Sequence, residues 1–142
     1  MIGRKKIVEK YRIIKGKIIL KKTFSLKESK EFQKAINRGT WYGGELISIY
    51  IMPNKQNFNF LGLAIGKKVG KAVKRNRVKR VIRAAYLEME ENIKNGFNII
   101  FVWRAKAKFE DLTYKCIKRD VERAFKKMDL IKCNKRESDN NG

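Results

Sequence analysis

The side chains best suited to chemistry in this chain are the Lys and Arg residues of the segment 67–83, KKVGKAVKRNRVKRVIR. Nine of these seventeen residues are basic, none is acidic, and no acidic residue occurs between Glu45 and Glu88. Such a block repels itself, and a polyanion offsets the repulsion because each cation near a phosphate releases a condensed counterion. The segment therefore predicts nucleic-acid binding, with an anionic membrane surface as the alternative.

The composition argues against catalysis by the protein itself. The 142 residues include 36 Lys or Arg, 14 Asp or Glu and no His, for a net charge of +22. Without His the commonest general acid/base is missing, and we find no nucleophile motif and no glycine-rich phosphate loop. The acidic group Glu88, Glu90 and Glu91 is interpreted as a solvated helix end. We predict no catalytic residues and no metal held by the protein.

Length and cysteine content favour one cytoplasmic domain. A hydrophobic fraction of 43% suffices for a modest core. No run of 18 apolar residues exists, and the N-terminus makes a poor signal peptide. Cys116 and Cys133 are too few for a disulfide framework, and we expect both to be reduced. We predict a basic extension over residues 1–18, either a mobile arm or a short element formed on binding, a domain over 19–131 and a disordered polar tail over 132–142.

The first half of the domain is predicted to contain one helix and two strands. Residues 25–28 (SLKE) fit a capping box, and the helix is expected to run to Asn37 with Gly39 as its stop. Residues 46–52 form a strand with Ile47, Ile49 and Ile51 on one face and Leu46, Ser48, Tyr50 and Met52 on the other. Residues 60–66 (FLGLAIG) form a second strand, in which Gly62, Ala64 and Gly66 leave one face shallow for a close neighbour.

The second half is predicted to be helix, strand and helix. Across residues 71–93 one apolar stripe has helical spacing, while Asn76, Lys79, Arg80 and Arg83 point away from it. Gly66 and Gly70 allow a sharp turn into this helix, and Asn95-Gly96 marks a turn before a strand at 97–103. A last amphipathic helix spans 110–128. The stripes are Val78, Ile82, Ala85, Met89 and Ile93 in the first helix, and Ile117, Val121, Ala124 and Met128 in the second. The fold class is α+β, with helices layered on a small sheet.

The string KRNRVKR at residues 74–80, with GKAV before it and Ile82-Arg83 after it, resembles the signature of the bacterial ribonuclease P protein subunit. The resemblance extends over roughly residues 20–130. Further segments occur in the family's order and spacing: Phe32-Gln33-Lys34, Arg38-Gly39, LAIGKK at 63–68 and FNII at 97–100.

This resemblance implies a single αβββαβα domain, a sandwich of ribosomal-protein-like topology with a left-handed βαβ crossover that carries the basic helix. Right-handed crossovers are nearly universal, so sequence alone does not give that hand. One strand of the pattern is hard to see and is expected near residues 40–44. The resemblance also implies endonucleolytic removal of the 5′ leader from precursor tRNA, with catalysis by the RNA subunit and Mg²⁺ held mainly by RNA.

The implied partners are the catalytic RNA and the precursor tRNA, with no membrane and no protein partner required. Arg forks two hydrogen bonds to a phosphate, and Asn reads a base edge or sugar. The residues predicted to contact the RNA subunit are Lys71, Lys74, Arg75, Asn76, Arg77, Lys79, Arg80 and Arg83.

The resemblance places the leader in a cleft between the first helix and the sheet, where single-stranded bases stack on aromatic rings. Phe32 and Tyr50 match aromatic positions of this cleft, and Ile36 replaces what is often another aromatic. Ser48 adds a polar contact, and Lys67 and Lys68 add phosphate contacts. Core burial is the alternative for Phe32. Trp103 is expected in the core, whereas Trp41 matches no family function and is either an RNA-facing ring or a packing residue.

Two other interpretations remain open on sequence. One is a structural RNA-binding protein of ribosomal type, which shares the charge and the fold but has no role in cleavage. The other is a membrane-surface helix, which requires a wide free apolar face. The stripe on the basic helix is needed for the core, so this interpretation ranks last.

Overall fold

The computed structural model describes residues 13–14, 17–18 and 23–132. Strand β1 (Ile13–Ile14) pairs antiparallel with strand β2 (Lys17–Ile18). The rest of the predicted extension, and the predicted tail beyond Lys132 with its Cys133, lie outside the described residues.

Five strands form one mixed sheet. They are β3 (Thr23–Ser25), β4 (Thr40–Gly43), β5 (Ile47–Pro53), β6 (Asn59–Ala64) and β7 (Phe97–Trp103). Their spatial order is β3-β6-β7-β5-β4. The first three run parallel, whereas β5 is antiparallel to β7 and β4 is antiparallel to β5. Strand β4 is the one expected near residues 40–44.

Three helices complete the domain: α1 (Ser29–Arg38), α2 (Ala72–Met89) and α3 (Tyr114–Lys127). From α1 onwards the order is αβββαβα, which confirms the α+β fold that the resemblance implies, and β3 adds a short strand before it. Helix α2 joins the neighbouring parallel strands β6 and β7. This connection is a βαβ crossover, and its left hand remains a prediction.

The larger core lies between the sheet and helices α2 and α3. Ile47, Ile49 and Ile51 are buried in it, as the alternation along β5 predicts. Leu46, predicted on the opposite face, is buried in the same core because it precedes the strand and belongs to the turn. Burying one such aliphatic side chain stabilises the folded state by about 1.5–3 kcal/mol. This burial holds α2 against the sheet, while the opposite side of the helix carries the basic residues. The predicted helical stripes are confirmed: Val78, Ile82, Ala85, Met89, Ile93, Ile117, Val121 and Ala124 are buried, and Met128 is half-buried.

The smaller core lies on the other face of the sheet, beneath α1. Its buried members are Leu26, Ala35 and Ile100. Gly62 faces this side, and a Cβ there would lie 2.5 Å from Cζ of Phe32. The shallow strand face predicted from the sequence is therefore the place where the Phe32 ring packs. Helices lie on both faces of the sheet, so the domain has three layers.

Two local predictions were wrong in detail. Ser25 does not cap α1, because it belongs to β3, where it pairs with Leu61 of β6. The helix begins only after Glu28, whose side chain makes no capping hydrogen bond. Gly66 has an ordinary φ of −81° and open space at its Cβ. Gly70 alone provides the turn into α2. Its φ is +141°, a backbone conformation that residues with a Cβ rarely adopt.

A buried carboxylate fixes the turn between β4 and β5. Asp120 of α3 is 1% exposed and accepts hydrogen bonds from the backbone N–H groups of Glu45, Leu46 and Ile47 at 2.9, 2.9 and 3.3 Å. A Cβ at Gly44 would lie 2.4 Å from the carboxyl carbon of Asp120. The turn therefore fits closely around this one side chain, and α3 sets its position.

A second polar cluster ties β3 to α2. Tyr86 Oη lies 2.7 Å from Thr23 Oγ1, which donates to Glu90 Oε2 at 2.8 Å. Asn59 Nδ2 donates to Tyr86 Oη at 3.3 Å. Burial raises the pKa of Tyr86 to about 12. Glu90 is 1% exposed, so its interpretation as part of a solvated helix end was wrong.

Candidate nucleic-acid interface

The side of α2 opposite its buried stripe forms the basic surface that the sequence predicts. We call it the basic face. Among the described residues, no carboxylate lies within 4.0 Å of its cations to form an ion pair. Its charge therefore remains available to a polyanion. Exposed members are Lys71, Lys74, Asn76, Arg77, Arg80 and Arg83, and Arg75 and Lys79 are half-buried.

The N-terminal end of α2 strengthens this positive surface. Its first turn carries no acidic residue, although acidic side chains are favoured there by the helix dipole. Free backbone N–H groups and the dipole add to the Lys and Arg charges. Lys74 is held in place by the ring of Phe109, whose centroid lies 5.1 Å from its Nζ. This end of α2 is thus arranged for an anion.

The aromatic residues predicted to line the cleft lie on α1 and on the sheet face that packs against it. Phe32 is half-buried over Gly62, and Ile36, one turn further along α1, is 37% exposed. Tyr50 is half-buried on the same sheet face, opposite the Ile47, Ile49 and Ile51 stripe. Phe32 belongs partly to the smaller core, so its two interpretations are not exclusive: one part of the ring packs and another stays accessible.

The polar residues predicted for the cleft differ in how exposed they are. Ser48 shares the face of Tyr50 but is only 9% exposed, so little of it is open to a ligand. Lys67 and Lys68 are exposed in a short 3₁₀ turn, Lys67–Val69, that follows β6. Their flexible side chains carry charge close to the end of β6 without fixing a geometry.

Trp41 lies beside the cleft on strand β4. It is 59% exposed, and its ring stacks on Tyr50 with centroids 6.1 Å apart and planes at 23°. The two residues are register partners, so both side chains are on the cleft face. Trp103, in contrast, is 9% exposed and belongs to the core as predicted. The structure thus places Trp41 at the surface and Trp103 in the core, whereas the sequence predicted the position of Trp103 only.

Sequence reasoning missed Arg104. It is half-buried after β7, and its Nη1 donates to the backbone oxygen of Gly44. A Cβ at Gly43 would lie 3.1 Å from both Arg104 Nη1 and Trp41 Cζ3. The alternation along β7 would have placed Arg104 on the face of Ile100 and Val102, but no sequence pattern related it to Trp41.

The cleft and the basic face meet at one pocket of about 160 Å³. Strand β3 ends at Ser25, so the outer edge of β6 is uncovered beyond that point. Phe32 lines the pocket from α1, and Lys79 and Arg83 line it from α2. The remaining lining residues are Ser25, Leu26, Leu61 and Leu63. An aromatic ring and two cations thus share a site at the sheet edge.

Other kinds of site are not found within the described part of the chain. No group of three or more His, Cys, Asp or Glu side chains there is placed to hold a metal ion. No helix over those residues has the length and apolar character needed to cross a bilayer. Cys116 is buried on α3 as a free thiol.

A basic helix on a mixed sheet, next to a face that carries accessible aromatic rings, defines an RNA-binding protein. A family model described as Ribonuclease P matches residues 20–129. The ribonuclease P protein component of Clostridioides difficile (strain 630) is 37% identical over 110 residues, which cover 77% of this chain and 95% of that protein. The component of Clostridium botulinum (strain Langeland / NCTC 10281 / Type F) is 40% identical over 103 residues, 72% of this chain and 91% of that one.

The fold agrees with the sequence comparison. The RNase P protein of Staphylococcus aureus matches with a TM-score of 0.67 and 27% identity over 77% of this chain and 98% of that one. The chain therefore belongs to the ribonuclease P protein family. Its role lies in tRNA processing, as an RNA-binding component of a ribonucleoprotein nuclease.

Proposed function

We propose that this protein binds the catalytic RNA of ribonuclease P through the basic face of α2 and the 5′ leader of precursor tRNA through the cleft under α1. The RNA subunit carries out the phosphodiester hydrolysis, using Mg²⁺ held mainly by RNA. The protein supplies binding, and the isolated chain is inactive. A cytoplasmic location is part of the proposal.

The observation that carries this proposal is the pocket at the outer edge of β6. It brings Phe32 of the cleft next to Lys79 and Arg83 of the basic face. A folded RNA on α2 and a single strand in the cleft would then occupy adjoining surfaces. The protein would hold the leader next to the catalytic RNA, which tightens substrate binding without any chemical step of its own.

The separate surfaces suit the two kinds of RNA. Phosphate contacts from a helix face position a folded RNA but carry little sequence information. Aromatic rings suit an unpaired strand, because every base presents a face for stacking. Phe32 and Tyr50 provide such rings, and the exposed side chains of Lys67 and Lys68 would supply charge for phosphates.

The experiment is cleavage of precursor tRNA by the cognate RNA, with and without the protein, across a magnesium titration. We expect the protein to lower the magnesium concentration needed for half-maximal cleavage, and the protein alone to cleave nothing.

Phe32→Ala should weaken binding of leader-bearing substrate more than of mature tRNA, by about 5-fold or more if one stacked base is lost. Arg77→Ala should weaken binding to the RNA subunit.

The control is Arg123→Ala, which removes an exposed cation from α3 rather than from the basic face. No stimulation at low magnesium and modest salt would favour a structural RNA-binding protein of ribosomal type. Equal losses with leader-bearing substrate and mature tRNA would contradict the cleft assignment of Phe32.

A further inference from the structure

Trp41 is the most exposed aromatic side chain among the described residues, and it lies on the edge strand β4. More than half of the residue is in contact with solvent, although a buried Trp contributes more to a core than any other side chain. Its position is fixed rather than loose, because it stacks on Tyr50 and pairs with it across the strands. An oriented and accessible indole is a binding surface for another flat ring.

Trp41 lies in line with the cleft. The strand registers place Trp41, Tyr50, Ile100 and Gly62 in one row across the sheet. The ring of Phe32 packs over Gly62 at the far end of that row. Phe32 and Trp41 therefore mark the two ends of this row. Tyr50 lies next to Trp41, whereas Ile100 is buried beneath α1.

A cation accompanies the exposed ring. Gly43 follows Trp41 on the same face, and its missing side chain leaves room into which both the Trp41 ring and the Arg104 guanidinium extend. Arg104 uses Nη1 to hold the backbone oxygen of Gly44. A guanidinium has five N–H donors, so others remain for a phosphate. Within the described residues, Arg104 has no carboxylate partner within 4.0 Å.

We propose that Trp41 is an additional base-stacking position for the single-stranded leader, one nucleotide beyond the base held at Tyr50. This proposal rests on the proposed function of the cleft. An aromatic face next to a cation suits a nucleotide, whose base stacks while its phosphate meets the charge. The net charge of +22 and the contact of Trp41 with Tyr50 of the cleft favour RNA over a protein partner.

The first test uses the reconstituted holoenzyme and precursor tRNAs whose leaders lengthen one nucleotide at a time. For wild type, affinity should rise at the length that first reaches Trp41. Trp41→Ala should remove that step, a loss of about 5- to 10-fold for long leaders, and leave the shortest leaders unaffected. The matched control is Tyr114→Ala, which removes a 37% exposed aromatic ring from α3.

The second test uses intrinsic fluorescence. Trp41 and Trp103 are the only tryptophans of the chain, and Trp103 is 9% exposed. In the wild type, iodide should quench the emission of Trp41, and binding of leader-bearing substrate should protect it. Trp41→Phe should abolish the protectable signal while keeping much of the long-leader affinity, because a phenyl ring still stacks.

Failure of the inference is distinguishable from failure of the proposed function. If Phe32→Ala and Tyr50→Ala lower long-leader affinity but Trp41→Ala does not, Trp41 is a packing residue and the inference is overturned. A Trp41→Ala loss that is equal for all leader lengths and for mature tRNA would place Trp41 on the RNA subunit and also overturn it. If none of the three substitutions affects leader binding, the cleft itself is wrongly assigned.

Discussion

At the scale of single residues, the cleft depends on a missing side chain. Phe32 lies above Gly62, and a Cβ there would approach three atoms of the ring at 2.5, 3.0 and 3.1 Å. Any larger residue at this position would push the ring away from the sheet. The glycine therefore sets the height of Phe32 above the cleft floor, which in turn sets the space for a stacked base.

We expect Gly62→Ala to lower the free energy of unfolding by about 1–3 kcal/mol, the usual cost of overpacking. In a Phe32→Ala background the same substitution should be neutral or stabilising, because the clash is gone and alanine loses less backbone entropy than glycine. Urea unfolding of the wild type, the two single variants and the double variant gives the coupling energy between Gly62 and Phe32. Additive effects would show that the ring and the glycine do not interact.

At the scale of elements, one carboxylate links α3 to the hairpin that carries the cleft aromatics. Asp120 binds three consecutive backbone N–H groups between β4 and β5. Trp41 is on one strand of that hairpin and Tyr50 is on the other. The geometry of the cleft thus depends on a residue from the opposite layer, across the sheet.

Asp120→Ala should lower the free energy of unfolding by about 3 kcal/mol, because buried backbone N–H groups lose their acceptor. Asp120→Asn keeps the shape and one acceptor oxygen and should cost less. Urea unfolding measures both, and iodide quenching of Trp41 reports whether the hairpin moves. Unchanged stability of Asp120→Ala would mean that water replaces the carboxylate at no cost.

At the scale of the whole molecule, charge dominates the interaction with RNA. The net charge of +22 gives a long-range attraction, and the exposed members of the basic face concentrate it on α2. The fold tolerates this concentration because the same helix buries an aliphatic stripe against the sheet and α3.

Binding to the RNA subunit should therefore weaken steeply with salt. By analogy with duplex DNA, neutralising six to ten phosphates would lose about 10³–10⁵ in affinity between roughly 50 and 200 mM salt. Arg80→Gln on the basic face should reduce the log–log slope by about one, whereas Arg123→Gln on α3 should leave it unchanged. Filter binding across a salt series measures the slopes. A slope that responds equally to both substitutions would show that net charge, and not the basic face, binds the RNA.

Local patterns predicted most of the elements. Strand β7 has the predicted bounds, and the buried stripes of α2 and α3 follow their helical spacing because apolar periodicity reflects one buried face. The capping box failed because Ser25 has a local cap pattern but a distant strand partner, Leu61, which no short-range pattern encodes. Glu90 was misjudged for the same reason, since its partner Thr23 is 67 residues away.

The candidate site divides in the same way. The sequence by itself determined the basic block, its helical phase and the resemblance in KRNRVKR, because charge and periodicity are properties of neighbouring residues. Only the tertiary structure decided that Phe32 meets Lys79 and Arg83 at one pocket and that Trp41 stacks on Tyr50 beside Arg104. Those residues belong to different elements, and they become neighbours only through the order of strands in the sheet and the side of it on which each helix packs.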